Sequence, residues 1–448
     1  MLSPRAIAHK ILLHIEQESG YPDRLLQSYL DRYDNLDPRD KGLITELVFG
    51  VLRWQGRLDS IISRFSSVKL KKINPVVRII LRTAIYQILF LDKIPARAAV
   101  NEAVKLARES QPDYVVRFVN AVLRKVSDNI ESLKKVDETN LTASGIAEIY
   151  SHPKWIVDAW VKELGTEETA ELCRANNKTP PTSIRVNTLL TTSENLAEEL
   201  RRAGIEVQPC KYAPDALEVK KGHFNLQRLE AYEKGLFQIQ DEASQLVAHI
   251  LTPRPEERIL DACAGFGGKT SIFAQLMENS GEIMAVDLSP WKVAALEENL
   301  ERLKIGIVGT LQTDVRKLNE MNIKPFDRIF LDAPCSGLGV LRRKPDIKWK
   351  RRPGDVYRLS LLQRDLLDSL ASLLRVGGVL VYATCTLLNI ENSEVIESFL
   401  QNHPEFCIEP ISDTIPWMKV FARGPYFCSF PHRHGTDGFF AARLKRIK

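Results

Sequence analysis

The chain has 448 residues, 44% hydrophobic and 27% charged with a net charge of +5, the balance of a globular protein with room for two to four full-sized cores. Its seven cysteines show no C-x-x-C pairs or zinc-like Cys/His spacing, which argues against a metal centre or a disulfide framework and fits a reducing cytosol. No apolar stretch reaches the ~18 residues of a membrane span, and with Arg5, His9 and Lys10 in a helical pattern no signal peptide is expected at the N-terminus.

Ile7, Leu12, Ile11 and Ile15 recur at helical spacing, as do Leu43, Leu47 and Val51. A broader apolar face, Ile79, Ile80, Ala84, Ile85, Ile88 and Leu89, follows a stop at Pro75. Pro95 opens a helix carrying Ala99, Val100, Ala103, Val104 and Ala107, and Phe118, Val119, Val122 and Leu123 mark another. With no strand-like alternation, residues 1–140 read as an all-α bundle. They hold 23 Lys and Arg against 17 Asp and Glu while the rest of the chain is near neutral, which points to a polyanionic partner.

Residues 130–150 are polar and suit a linker. Trp155, Ile156, Ala159, Trp160 and Leu164 then form a helical stripe closed by Gly165. Strands are expected at 183–187, 205–207 and 216–219, with a helix through Leu196, Leu200 and Ala203 closed by Gly204, making 141–235 a small α+β unit for RNA binding or linkage. From 236 to 448 strands and helices alternate: strands at 258–262, 283–287, 305–311, 328–332, 378–384 and 438–444, helices at 270–277, 291–303 and 357–374. That is a doubly wound, Rossmann-like α/β domain.

Two features of this last domain carry chemistry. The strands ending in Asp332-Ala333-Pro334-Cys335 and Thr384-Cys385-Thr386 are separated by one helix, so they should lie side by side with both cysteines and Asp332 at one ligand-binding edge. Two thiols and a carboxylate there suggest covalent catalysis. The turn Asp261-Ala262-Cys263-Ala264-Gly265-Phe266-Gly267-Gly268-Lys269-Thr270 lets backbone approach a ligand closely, with Asp287 placed for ribose hydroxyls and Asp314 for an adenine amino group. The spacing is not G-x-G-x-x-G, and Asp261 would repel a pyrophosphate but suit an ammonium or sulfonium group, which disfavours a nicotinamide enzyme. Between the cysteines, residues 341–352 hold seven cations around Trp349, an arrangement suited to gripping phosphates while the indole stacks on a base.

The order of residues in 1–140 resembles the NusB fold, through Arg5-Ala6-Ile7-Ala8-His9-Lys10-Ile11-Leu12, Tyr86-Gln87-Ile88-Leu89, Asn101-Glu102-Ala103-Val104 and Phe118-Val119-Asn120-Ala121-Val122-Leu123. From Arg185 onward the chain resembles the RNA cytosine-5 methyltransferases, above all those of bacterial small-subunit rRNA. The matching motifs are Gln240-Asp241-Glu242-Ala243-Ser244-Gln245, the glycine-rich turn, Asp332-Ala333-Pro334-Cys335-Ser336-Gly337, Thr384-Cys385-Thr386 and Asp437-Gly438-Phe439-Phe440. In the turn, Gly265-Phe266 stands where the family usually has Ala-Pro.

The resemblance implies S-adenosylmethionine as cofactor, bound by Cys263, Ala264, Gly265, Phe266, Gly267, Gly268, Lys269, Asp287, Asp314 and Asp332. It implies Cys385 as the nucleophile adding to cytosine C6, Cys335 as a second thiol resolving the adduct, and Asp332 on N3 and the exocyclic amine, with burial favouring its protonated form. The residues alone do not rank the two thiols. Arg185 and Asn187 are further candidates for RNA contact. The expected partner is RNA, most simply 16S rRNA, naked or in a partly assembled small subunit, with no DNA or membrane partner and no metal. A cytoplasmic monomer is expected. A tRNA substrate, or an RNA-binding antitermination-type module recruiting the enzyme to a ribonucleoprotein, are the alternatives.

Overall fold

The computed structural model of the chain describes residues 2–18, 21–33, 35–135, 138–139, 141–221 and 225–448. They form two compact units, one of residues 1–178 with 344–350, the other of 179–343 with 351–448.

The first unit is helical: α1 (Pro4–Glu18), α2 (Pro22–Arg32), α3 (Pro38–Phe65), α4 (Pro75–Phe90), α5 (Ala96–Arg108), α6 (Asp113–Asp128), α7 (Ile130–Lys134), α8 (Ala143–Ile149), α9 (Lys154–Leu164) and α10 (Thr166–Asn176). The expected stop at Pro75 is instead a start. Asn74 caps α4 by accepting from Val76 N at 2.9 Å, and a proline at the first helical position loses no hydrogen bond. Asp37 and Pro38 open α3 in the same way. Ile7, Ile11, Leu47, Val51, Ile80, Ile85, Val119 and Leu123 meet in one buried core, as their spacing requires. The stretch read as a linker is partly helical, since α7 and α8 bury Leu133, Ile146 and Ala147; Val136, Asp137 and Asn140 lie outside the described residues. Charges on this unit pair with one another, as where Arg82 holds Asp59 at 2.7 Å.

The second unit begins with β1 (Thr182–Val186), α11 (Ser193–Arg202), β2 (Glu206–Pro209), β3 (Ala216–Lys221), α12 (Glu230–Glu233) and β4 (Phe237–Ile239). They make an antiparallel sheet in the order β2-β3-β1-β4, with Ile184, Val186, Leu196, Leu200, Leu217 and Phe237 packed between sheet and helices. After α13 (Glu242–His249) come β5 (Arg258–Asp261), α14 (Thr270–Leu276), β6 (Glu282–Asp287), α15 (Pro290–Arg302), β7 (Val308–Gln312) and β8 (Phe326–Asp332). The short α16 (Ile347–Lys350), which belongs to the first unit, precedes α17 (Pro353–Ala371), β9 (Leu374–Thr384), α18 (Ser393–Asn402), β10 (Phe406–Ile408), α19 (Ile411–Thr414), β11 (Ala422–Arg423), β12 (Tyr426–Ser429), α20 (Pro431–His434) and β13 (Phe439–Arg446).

Nine of these strands form one mixed sheet in the order β11-β12-β13-β9-β8-β5-β6-β7, with β10 on β13. Strands β7, β6, β5, β8 and β9 are parallel, and β13 runs antiparallel to β9. Asp332 is in register with Ala383, so the two cysteine-bearing loops leave the same edge. The run Ile329-Phe330-Leu331 is buried on both faces, Ile329 and Leu331 against Leu367 and Leu370 of α17, Phe330 against Phe273 of α14. Among the described residues no helix is long and apolar enough to cross a membrane.

Candidate active site

Strand β5 ends at Asp261, 1% exposed, whose Oδ2 accepts from Thr270 Oγ1 at 2.6 Å while Oδ1 has no hydrogen-bond partner. Burial pushes this carboxyl up to about 7. The glycine-rich turn is held from two sides. Ala264 N donates to Val286 O at 2.9 Å, and Gly265 N donates to Asp287 Oδ2 at 3.0 Å. Gly267 sits at φ +77°, and a Cβ there would lie 2.9 Å from Leu296 Cγ. Asp287 also accepts from Ser289 N at 2.9 Å, so it fastens the turn to the β6–α15 loop. Asp314 caps the 3-10 turn at 315–320 through Arg316 N at 3.0 Å and pairs with the Arg316 guanidinium. Cys263 lies within the turn, its thiol pushed up by burial, and Phe266 lies on the outside, tilted on Trp291 at 5.1 Å.

Arg185 and Asn187, expected to touch RNA, are buried instead. Arg185 donates to Gly268 O, Gln240 Oε1 and Ser271 Oγ, each at 2.7 Å, and so braces the turn from β1. Asn187 Nδ2 donates to Gly235 O and Leu303 O at 2.9 Å. A buried guanidinium or amide must find acceptors, and here backbone carbonyls and two side-chain oxygens supply them.

At the ends of β8 and β9 the two sulfurs meet. Cys335 Sγ lies 3.2 Å from Cys385 Sγ, and Cys385 N donates to Cys335 Sγ at 3.3 Å. The hydrogen bond to Cys385, together with burial, pushes the Cys335 thiol well up, which favours its neutral form. Beside them Lys269 Nζ donates to Asp332 Oδ2 at 2.6 Å. Burial alone would depress this ammonium, but the carboxylate outweighs burial and holds it above its ordinary range. Lys269 comes from the glycine-rich turn, so the turn contributes its side chain to the cysteine edge. Gly339 and Gly438 cross there in close contact; a Cβ on Gly339 would fall 2.0 Å from Gly438 O.

A model of the 16S rRNA methyltransferase RsmB/F family matches residues 248–445 of this sequence. The chain is 38% identical over 449 residues to the probable ribosomal RNA small subunit methyltransferase B of Bacillus subtilis, covering 99% of each. It belongs to the RsmB/F family of 16S rRNA methyltransferases. The helical bundle matches the NusB family over 2–128, and 152–224 match the ferredoxin-like domain of RsmF/B-like methyltransferases. Among solved structures, PH0851 aligns over 100% of this chain and 99% of its own with TM-score 0.81 and 28% identity. NSun6 from Pyrococcus horikoshii, crystallised with SFG, aligns over 66% of this chain and 98% of its own with TM-score 0.59 and 27% identity.

In this RsmB/F chain the basic stretch 341–352 departs from expectation. Arg342 and Arg343 pair with Asp437 at 3.2 and 2.6 Å, and Arg343 also reaches Asp241 at 2.7 Å. Lys348 is 1% exposed, donates to Arg53 O at 2.8 Å, and burial pushes its ammonium well down. Trp349 Nε1 donates to Leu52 O at 2.7 Å on α3, with its ring over Gly56. Arg351 donates to Ser336 O at 3.0 Å. The stretch is an anchor, and only Lys344, Lys350 and Arg352 are exposed, Lys350 beside Asp346. Sequence reasoning missed Glu391, wholly buried under both cysteine loops; its one signal is a Glu-Asn pair soon after Thr384-Cys385-Thr386.

Proposed function

We propose that this chain methylates C5 of a cytosine in small-subunit rRNA through a covalent bond between Cys385 and C6. The 3.2 Å contact between the two thiols, with the Lys269–Asp332 pair beside them, carries this reading. Cytosine C5 is a weak nucleophile, and thiolate addition at C6 makes the ring enamine-like at C5. The Cys335 thiol lies within reach of the Cys385 sulfur and can hand it a proton as it leaves C6. Asp332 accepts from the exocyclic amine. Lys269, whose ammonium donates to Asp332 Oδ2, adds a proton-bearing group toward N3. The C5 proton must depart before the thiol is expelled.

The residues fit S-adenosylmethionine. A buried carboxylate with one unpartnered oxygen at the head of the glycine-rich turn is a place for a cationic group, and Asp261 is one. Residues 263–269, Asp287, Asp314 and Asp332 would hold the molecule, which supplies the electrophilic methyl group. Residues 1–140 and 141–235 are assigned as RNA-binding regions and 236–448 as the catalytic domain, with rRNA the substrate by analogy with the curated relatives.

Bisulfite sequencing of all rRNA and tRNA from cells with and without the protein tests this. Loss of one protected cytosine from small-subunit rRNA is expected. Loss confined to tRNA would move the target, and an unchanged pattern would reject the activity.

A further inference from the structure

Glu391 lies in a 3-10 turn six residues past Cys385, with its carboxylate between the two cysteine loops. It accepts from Ser336 N at 2.8 Å, Ser336 Oγ at 2.5 Å and Gln363 Nε2 at 3.1 Å. The same Gln363 amide donates to Pro334 O at 2.9 Å. Ser336 Oγ is 2.8 Å from Thr386 Oγ1. The Thr386 hydroxyl also hydrogen-bonds the Glu391 carboxylate, so both loops reach the same acid directly. Asn392 adds the other half: it accepts from Thr384 Oγ1 at 2.6 Å and donates to Thr386 O at 3.1 Å. Each neighbour of either thiol, Pro334 and Ser336 on one side, Thr384 and Thr386 on the other, is therefore tied to Glu391, directly or through Gln363, or to the adjacent Asn392. Burial pushes the Glu391 carboxyl up while the donors around it pull it down. A carboxylate kept in the interior must have every lone pair occupied, and its partners here are the two loops that carry the sulfurs.

We propose that Glu391 is a positioning residue that sets the Cys335–Cys385 spacing and so times release of the RNA adduct. This rests on the two-thiol reading above. At 3.2 Å the Cys335 S–H reaches the Cys385 sulfur as it leaves; a loop shift of about 1 Å breaks that contact, a misplacement that typically costs about a hundredfold in rate.

The test uses the full chain as wild type, Glu391→Ala, Glu391→Gln and Ser336→Ala. Methyl transfer from S-adenosylmethionine to a small-subunit rRNA fragment gives kcat and KM, and a denaturing gel gives the trapped RNA. Phenylarsine oxide reads the sulfur spacing without RNA: two As–S bonds form and its oxygen leaves as water with the two thiol protons.

In Glu391→Ala, kcat should fall about a hundredfold with KM unchanged, adduct should accumulate, and arsenical binding should be lost. Glu391→Gln keeps an oxygen toward Ser336 N and Gln363 and should recover most of both readouts. Should Glu391→Ala fail to fold, Ser336→Ala, which removes only the hydroxyl link, should show the same pattern more weakly. Wild-type kcat and arsenical binding in the folded variants would overturn the proposal, as would a loss of kcat with arsenical binding intact. A wild-type chain that forms neither adduct nor methylcytosine, with arsenical binding still dependent on Glu391, would overturn the methylation reading and uphold the spacing role.

Discussion

The two cysteine loops and the basic stretch 341–352 are both dense in polar side chains, and the fold uses them in opposite ways. Around Cys335 and Cys385 the polar groups bond to one another beneath the thiols and leave the sulfurs facing each other. In the basic stretch the cations bond to carboxylates and carbonyls, and the tryptophan is held by α3. Charge density along a sequence therefore says little about nucleic-acid contact until the partners are known. An arginine matched by a buried aspartate has no charge left for a phosphate.

The sharpest way to break this comparison is to remove the thiols. Cys385→Ala should abolish methyl transfer and form no covalent RNA complex, whereas Cys335→Ala should still attack and then stall, with RNA running with the protein on a denaturing gel. The opposite pattern would exchange the two roles. Next in size, Trp349→Ala should lower unfolding stability by about 2–4 kcal/mol, since a large ring and a hydrogen bond are lost from the α3 contact. The salt dependence of RNA binding should be unmoved; a flattened slope would return Trp349 to the RNA surface.

Asp287→Ala should weaken S-adenosylmethionine binding by about 1.5–3 kcal/mol, ten- to a hundredfold, because it also releases the amides of Gly265 and Ser289. Calorimetry giving wild-type affinity would reject the role.

Asp261 predicts a pH effect. Its folded value near 7, against an ordinary 3.8, means that the proton stabilises the folded chain, and this contribution fades as pH rises from the ordinary value through 7. A cationic ligand at Oδ1 prefers the ionised form. Cofactor affinity should thus rise by up to about tenfold per unit as pH approaches 7, then level off. Asp261→Asn should flatten the profile, and a pH-independent affinity in the wild type would exclude the pairing. The smallest effect belongs to the exposed cations: Lys344→Ala and Arg352→Ala should each flatten the log–log salt slope of RNA binding by about 0.7–0.9 if they meet phosphates. Identical slopes would remove these two cations from the interface.

The bundle helices were legible because each buries a single stripe, so Ile7, Ile11 and Ile15 or Leu43, Leu47 and Val51 announce a face. Helix α2 and strands β4, β10, β11 and β12 were missed, since two to four strand residues, or one modest helix, carry too little periodicity to stand out. The sharing of one edge by Cys335 and Cys385 was readable from the strand–helix–strand order, which allows few other arrangements. The burial of Arg185, Asn187 and Lys348 was not, because a polar residue inside a protein looks the same in sequence as one outside.

The class of each region and the edge at which the chemistry gathers are written in the chain, since periodicity and the handed crossover of parallel strands are local rules obeyed element by element. Which polar groups face each other follows from packing: Lys269 leaves its turn to meet Asp332, Glu391 joins Ser336 to Thr386, and Arg343 closes on Asp241 and Asp437. These partners lie 50 to 102 residues apart where they bridge the cysteine loops or the Arg343–Asp241 pair. Their pairing follows from the need to satisfy buried charge and hydrogen-bonding groups, a demand that exists only once the chain has packed.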